Sequence, residues 1–296
     1  MIIFDLRNVM IASLMAMLGE IKNERLSVEL LRHMVLNSIR ANRKKFRDYA
    51  PSGSDVVIAC DQGPSWRKTV FPYYKARRQE AREASPIDWS VVFEALNNIQ
   101  AELQTYFPYR VVSVDSAEGD DVIGTLARLP KPKAEFTLGD LAMRHETVIL
   151  SADGDFKQLL AGGVVLYNPI ANKGWVRTNN PARDLKEKIA RGDRTDGIPN
   201  FMSPDDCFVA GGRQRPLAQK KLDVWLDQRP EEFCTDETLR RGWTRNERLI
   251  DLSFTPHELK RSIVDKYESE AGKTGHIMDY LMQYRLKQLT ESASDF

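Results

Sequence analysis

Apolar residues along the chain fall into two rhythms. Short unbroken runs, Ile2-Ile3-Phe4, Val56-Val57-Ile58-Ala59, Thr147-Val148-Ile149-Leu150 and Val164-Val165-Leu166-Tyr167, are uncharged and rich in β-branched residues. Such runs predict strands buried on both faces. Tyr109–Val114 reads as a further strand. Between the runs, apolar positions recur every three or four residues. Ser27–Phe46 places Val28, Leu31, Val35 and Ile39 on one helical face, and Asp88–Thr105 does the same with Val91, Val92, Leu96, Ile99 and Leu103. A helix is expected after Asp5 through Met17. Another carries Val122, Ile123, Leu126 and Leu129. Strands alternating with helices predict an α/β fold, a mostly parallel sheet with helices on both faces. After about Trp175 the alternation stops, and Pro181–Phe296 reads as mostly helical with loops. The expected division is an α/β core over 1–185 and a smaller, mostly helical domain over 186–296, with Glu291–Phe296 as a tail.

The predicted strands end on acids. The first runs into Asp5 and the second into Asp61. Tyr109–Val114 is followed by Glu118, Asp120 and Asp121, and Thr147–Leu150 by Asp153 and Asp155, with Gly154 between them to let the chain turn. Open α/β sheets bind ligands outside the carboxyl ends of their strands. One such acid is unremarkable, and Asp153-Gly154-Asp155 alone would pass for a solvated turn. Seven carboxylates from four strand ends are a specific signal. They would repel one another unless a hard, oxygen-seeking cation such as Mg²⁺ lay among them. An EF-hand loop is excluded, since Lys157 stands at its third ligand position. Gly192–Pro199 adds Asp193 and Asp196. So many acids can hold two divalent ions, which clamp the attacking and leaving oxygens of a phosphodiester and acidify the attacking water.

Composition narrows the setting. The chain has 296 residues, 42% hydrophobic and 29% charged, enough for a sizeable core. No apolar run approaches the length of a membrane span, and the N-terminus reads as a strand rather than a signal peptide. Cys60, Cys207 and Cys234 are far apart and odd in number, which fits a reducing cytoplasm and excludes a cysteine zinc site. His33, His145, His257 and His276 show no ligand spacing. A net charge of +1 suggests no polyanionic partner, but the distribution does. Arg40–Arg47 is a basic helix end, which also suits the helix dipole. Trp66–Arg82 interleaves Arg67, Lys68, Lys75, Arg77, Arg78 and Arg82 with Tyr73 and Tyr74, broken only by Glu80. That composition attracts phosphates and offers rings to bases.

Phe4-Asp5, Leu31–Ile39, Cys60-Asp61, Trp66-Arg67-Lys68, Tyr73-Tyr74-Lys75, Ala117–Asp121, Ser151–Phe156, Gly192-Asp193 with Asp196, and Leu249-Ile250-Asp251 follow one another as in a known family. The chain resembles the phage members of the 5′-nuclease (flap endonuclease) family over nearly its whole length. The resemblance implies a first Mg²⁺ on Asp5, Asp61, Glu118 and Asp120. It implies a second on Asp153, Asp155 and Asp196, with Asp120 near both and Asp121 and Asp193 acting through water. Mn²⁺ is expected to substitute. Residues 62–88 correspond to a helical arch in which Lys75 and Arg78 meet the scissile phosphate, with Arg67, Lys68, Tyr74, Arg77 and Arg82 as further nucleic-acid contacts. Gly197–Leu226 departs from the family's duplex-gripping hairpin. Ile198–Phe201 fits, Met202–Pro216 resembles an insertion, and Arg213, Arg215, Lys220 and Lys221 are its candidate phosphate contacts.

The function so implied is removal of RNA primers and 5′ flaps, from DNA or RNA–DNA duplexes, in phage lagging-strand synthesis within the host cytoplasm. The implied protein partners are a single-strand-binding protein and a sliding clamp. Two other readings stand beside it. A PIN-type endoribonuclease shares the acidic strand ends but is usually shorter and lacks the arch. A structure-specific DNA-binding protein would not need the full acidic set.

Overall fold

The computed structural model describes residues 1–20, 26–130, 147–170 and 173–296; His145 lies outside them. Six strands, β1 (Ile2–Asp5), β2 (Val56–Ala59), β3 (Arg110–Val112), β4 (Thr147–Leu150), β5 (Val164–Asn168) and β6 (Gly174–Val176), form one sheet in the order β3-β2-β1-β4-β5-β6. All neighbours are parallel except β5 and β6. The antiparallel β6 is absent from the sequence expectation. It is a three-residue edge strand whose Trp175 is largely exposed, so no apolar run marks it.

The helices are α1 (Leu6–Glu20), α2 (Val28–Lys45), α3 (Arg67–Val70), α4 (Arg78–Glu83), α5 (Trp89–Tyr106) and α6 (Gly119–Ala127) in the first part of the chain. α7 (Pro181–Arg191), α8 (Gln219–Leu226), α9 (Pro230–Phe233), α10 (Glu237–Ile250), α11 (His257–Ser269), α12 (Ile277–Gln283) and α13 (Lys287–Thr290) follow. Alternation along the strands builds two layers. Ile2, Phe4, Val56, Ile58, Val148 and Leu150 pack with α1, α2 and α5, while Ile3, Val57, Val112, Ile149 and Leu166 pack with Val122, Ile123 and Leu126 of α6. The two long helices are pinned by a buried pair, Arg32 Nε and Nη2 of α2 each 2.8 Å from Glu102 of α5.

A third cluster joins the arch region to the second half of the chain. Phe71 and Tyr74 pack with Ile189, Phe201, Leu222, Trp225, Phe233 and Trp243. The last helices turn back to the sheet layers: Ile263 of α11 enters one, and Tyr280, Leu281 and Leu289 enter the other. The expected tail is docked. Phe296 is buried against Phe107, with ring centroids 5.4 Å apart, and Asp295 pairs with Arg40 (3.3 Å) and Lys44 (3.1 Å). The basic end of α2 is thus engaged within the fold. Among the described residues, no helix is long and apolar enough to cross a membrane.

Candidate active site

Parallel strands bring their C-terminal ends to one edge, and β3, β2, β1 and β4 are consecutive there. Asp5 closes β1. Its carboxylate accepts from the Asn8 amide (3.0 Å) and from the Ser151 hydroxyl at the end of β4 (2.8 Å). Asp61 lies two residues past β2 and accepts from the Gly119 amide at 2.6 Å. A Cβ on Gly119 would stand 3.4 Å from that same oxygen, so the small residue permits the approach. Glu118 is the N-cap of α6, with Asp120 in its first turn. Asp153 caps the 3-10 turn Gly154–Leu159 and accepts from the Asp155 amide at 2.8 Å. Asp193 and Asp196 come from a hairpin closed by the Asp193–Ile198 bridge just after α7. Gly192, at φ 71°, is required there: a Cβ would meet the Ile198 carbonyl at 2.3 Å.

Five cations face these acids, among them Arg67, whose Nη1 is 3.1 Å from Glu118. Arg7 pairs with Asp61. Lys75 pairs with Glu118 and lies 3.6 Å from Asp196, and Arg78 lies 2.6 Å from Asp196. Lys188, in the last turn of α7, pairs with Asp155 and lies 3.0 Å from Asp193. The buried Tyr74 hydroxyl is 2.8 Å from Glu118 and 2.9 Å from Asp196. In this arrangement, among the described residues, no three histidines, cysteines or acids close around one point.

The charge is unevenly met. Burial opposes ionisation of Glu118, but Lys75 and Arg67 hold its carboxyl down at about 2. Burial likewise opposes Asp193, and Lys188 with the Thr195 hydroxyl holds it at about 2. Asp5 is different. Burial, with Asp61 and Asp153 nearby, lifts its carboxyl to about 6. Burial and the charges of Asp153, Glu118 and Asp5 push Asp120 well above the carboxylate range. Asp153 is raised by burial and then by Asp193, against the pull of Lys188. Asp5, Asp120 and Asp153 are thus left short of positive charge, and every donor is a carboxylate oxygen. That donor set fits a hard divalent cation.

Three expectations from the sequence are corrected here. Asp121 is fully buried and faces away from solvent. Its oxygens take two bonds from Arg67 at 2.9 Å, and others from Thr255 (2.8 Å), Trp66 (3.2 Å) and the Glu118 amide (3.0 Å), so none is left for a metal-bound water. Arg67, expected on nucleic acid, is only 2% exposed and reaches the Leu249 carbonyl at 2.9 Å. Tyr74, expected likewise, is buried behind the acids. Trp66, Arg67, Phe71 and Tyr74 are thereby core, set between exposed positions such as Thr69 and Tyr73, and 76–88 carry no buried residue. Lys68 and Arg77 are exposed, and Arg82 lies over the Phe93 ring, 4.8 Å from its centroid. Arg213, Arg215, Lys220 and Lys221 are exposed on the 202–218 loop and α8, elements that carry none of the acids. That loop hangs on Asn200, which bonds Ser203 and the Arg215 carbonyl, and on the buried Arg245, which donates to the carbonyls of Pro199, Asn200 and Ser203.

Arg7, Ser151 and Lys188 are site residues that sequence reasoning did not single out. Only Lys188 carries a signal, five positions before Asp193, and its other partner lies on a different element.

Two family profiles match the chain. One, described as the 5′-3′ exonuclease N-terminal resolvase-like domain, matches residues 16–189, and the other, described as the T4 RNase H C-terminal domain, matches residues 179–296. Ribonuclease H of Enterobacteria phage T4 is 30% identical over 283 residues, covering 92% of this chain and 88% of that one. Flap endonuclease Xni of Shewanella pealeana is 34% identical over 120 residues, 40% of this chain and 39% of its own. Among solved structures, a bacteriophage T5 flap endonuclease complex with DNA and metal ions superposes with a TM-score of 0.60 at 16% identity, over 92% of this chain and 99% of that one. This last likeness is one of fold.

Proposed function

The chain belongs to the 5′-3′ exonuclease family, and from that membership we propose that it is a Mg²⁺-dependent 5′ nuclease and flap endonuclease. Its substrates are the phosphodiesters of RNA primers and adjacent DNA, on DNA or RNA–DNA duplexes, in phage lagging-strand replication. The observation that carries this reading is the set of acids that four adjoining parallel strands deliver to one edge, with Asp5 and Asp120 among them short of positive charge.

Asp5, Asp61, Glu118 and Asp120 are the residues to hold one divalent ion. Asp153, Asp155 and Asp196 would hold a second, with Asp193 linked through water. Bound there, such ions supply an acidified water and neutralise charge on the scissile phosphate. Lys75 and Arg78, both beside Asp196, would orient that phosphate and steady the charge it develops. Tyr74 holds Glu118 and Asp196 in position through its hydroxyl. Residues 1–185 carry most of the chemistry, and 186–296 would add Asp193 and Asp196 together with the surface that grips duplex. A single-strand-binding protein and a sliding clamp are the partners this role calls for, in the host cytoplasm, and Mn²⁺ substitutes for Mg²⁺.

Cleavage of a 5′-flapped duplex with Mg²⁺ and with EDTA tests the reading directly. Asp155→Asn keeps the shape of the 153–155 turn and removes a charge a hard cation needs. Its turnover should fall roughly a thousandfold or more while binding of the flapped duplex is retained. Near wild-type turnover in this variant would remove the second metal site from the scheme.

A further inference from the structure

A cleft of about 630 Å³ opens on the side of the arch that faces the second half of the chain. One wall is α4 and its N-cap, with Arg77, Arg78 and Glu80. The opposite wall is the 193–198 hairpin, with Arg194 and Thr195, and Phe208 of the 202–216 loop closes the end. Three arginines and Lys75 against one glutamate leave an excess of positive charge. Arg194 and Arg77 are exposed, so their guanidinium groups are open to a ligand. Arg77 meets Glu80 only at 3.7 Å, a loose solvent-exposed pair. Phe208 is half-buried and offers a ring at the cleft's edge. Arg78 lines the cleft and also touches Asp196, so the cleft begins where the acid site ends.

The chemistry that suits these walls is a short run of unpaired nucleotides. Guanidinium groups take the phosphates bidentately, and an aromatic ring takes a base face without regard to sequence. A duplex would bring its bases already stacked and gain nothing from Phe208. We infer that this cleft is the seat of the first unpaired nucleotides on the 5′ side of the cut, with Phe208 stacking on one base and Arg77 and Arg194 holding the phosphates. Phe208 stands in Met202–Pro216, the stretch whose sequence departs from the usual hairpin of 5′-nucleases, so the 5′ strand would be held there by a side chain outside the arch. The inference rests on the 5′-nuclease reading, which names the strand but not the place it occupies.

The loop is built to present Phe208. The Cys207 amide donates to the Pro204 carbonyl (3.3 Å) and the Gly212 amide to the Cys207 carbonyl (2.8 Å), with the Cys207 side chain buried. Asp205 at the loop's base pairs with Arg245 (2.5 Å) and Arg241 (3.0 Å). The ring is therefore offered from an ordered turn.

The test uses the whole protein with a duplex carrying a 5′ flap of six nucleotides, in Ca²⁺ so that binding is read without turnover. 5-Iododeoxyuridine is placed singly at each flap position and irradiated, and the crosslinked peptide is identified by mass spectrometry. A crosslink to Phe208 from one of the first flap positions is expected. Binding is then compared between the flapped duplex and the same duplex with no flap. Phe208→Ala and Arg194→Ala should each weaken the flapped substrate about tenfold and leave the unflapped one unchanged. Crosslinks that map elsewhere, or variants that weaken both substrates alike, would overturn the inference. Loss of all cleavage with Mg²⁺ in the wild-type protein would instead count against the nuclease reading and leave the crosslink result standing by itself. If Phe208→Ala does not fold, the wild-type crosslink and Arg194→Ala decide the matter.

Discussion

Arg67 shows how far a side chain's setting can depart from its sequence neighbourhood. Flanked by Trp66 and Lys68, it reads as a phosphate contact. In the fold it is buried, paired with both oxygens of Asp121, 3.1 Å from Glu118, and bonded to the Leu249 carbonyl of α10. These partners lie 51 to 182 positions away in sequence, beyond the reach of any local pattern. Removing one member of a buried pair leaves an uncompensated charge, which costs about 3–5 kcal/mol. Arg67→Met should therefore lose that much stability in urea unfolding, and Arg67→Met with Asp121→Leu should recover much of it. A single variant as stable as wild type would mean that the pair is not holding α6 to α10. Asp5 carries the opposite imbalance. Its folded pKa, about 6, lies above the unfolded value. The metal-free fold therefore holds an extra proton, and the stability linked to Asp5 falls as pH rises from about 4 to 6. A cation bound at Asp5 must displace that proton. Calorimetric titration with Mn²⁺ in two buffers of different ionisation enthalpy should show more proton release at pH 5.5 than at pH 7.5. Equal release at both would detach Asp5 from the metal.

At the scale of elements, the base of the arch is a turn rather than a helix. Lys75 and Arg78, three apart, would share a face if helical. The helix begins only at Arg78, and Lys75 sits in a turn at φ 56°, a left-handed conformation that costs a non-glycine residue about 1 kcal/mol. The turn is held there by the 193–198 hairpin: the Lys75 amide donates to the Asp196 carbonyl at 2.8 Å, and Gly197 is so close that a Cβ would meet the Tyr73 carbonyl at 2.9 Å. Both cations still reach Asp196, by a route other than the expected one. Lys75→Ala and Arg78→Ala should each reduce kcat far more than they weaken binding, and a bulky group on the 5′ end of a flap should suppress its cleavage. Normal cutting of the blocked flap, with both variants changed only in affinity, would make them ordinary surface contacts. The elements legible in the sequence are the buried strands and the long helices with one apolar face. β1, β2, β4 and β5 declare themselves as unbroken apolar runs, and their terminal acids follow from the chain direction. β6 is hidden because an edge strand needs no apolar run. The inward half of the arch is hidden because Phe71 and Tyr74 are covered by Phe201, Leu222 and Trp243, more than a hundred residues later.

Across the whole molecule, a net charge of +1 conceals a division of sign. The acids converge at the sheet edge, while Lys68, Arg77, Arg194, Arg213, Arg215, Lys220 and Lys221 lie exposed on the arch, the hairpin, the 202–218 loop and α8. Not every basic stretch is available to a partner. The end of α2 looks as inviting in sequence as the arch, yet Arg40 and Lys44 are turned to Asp295, and Arg43 donates to the Asp295 carbonyl at 3.2 Å. The docked C-terminal residues thus separate the two kinds of basic surface. If about four of the exposed cations meet phosphates, log K for a flapped duplex should fall with log salt at a slope of about −3.6, so a fourfold rise in salt weakens binding roughly a hundredfold. Arg213→Ala with Arg215→Ala should flatten that slope by close to two contacts' worth, whereas Arg40→Ala should leave it unchanged. A slope near zero in the wild-type protein would reduce the exposed cations to solvated surface. A slope that Arg40→Ala flattens as much as the loop pair would mean that the duplex runs over α2, and that the contact with Asp295 gives way when it binds.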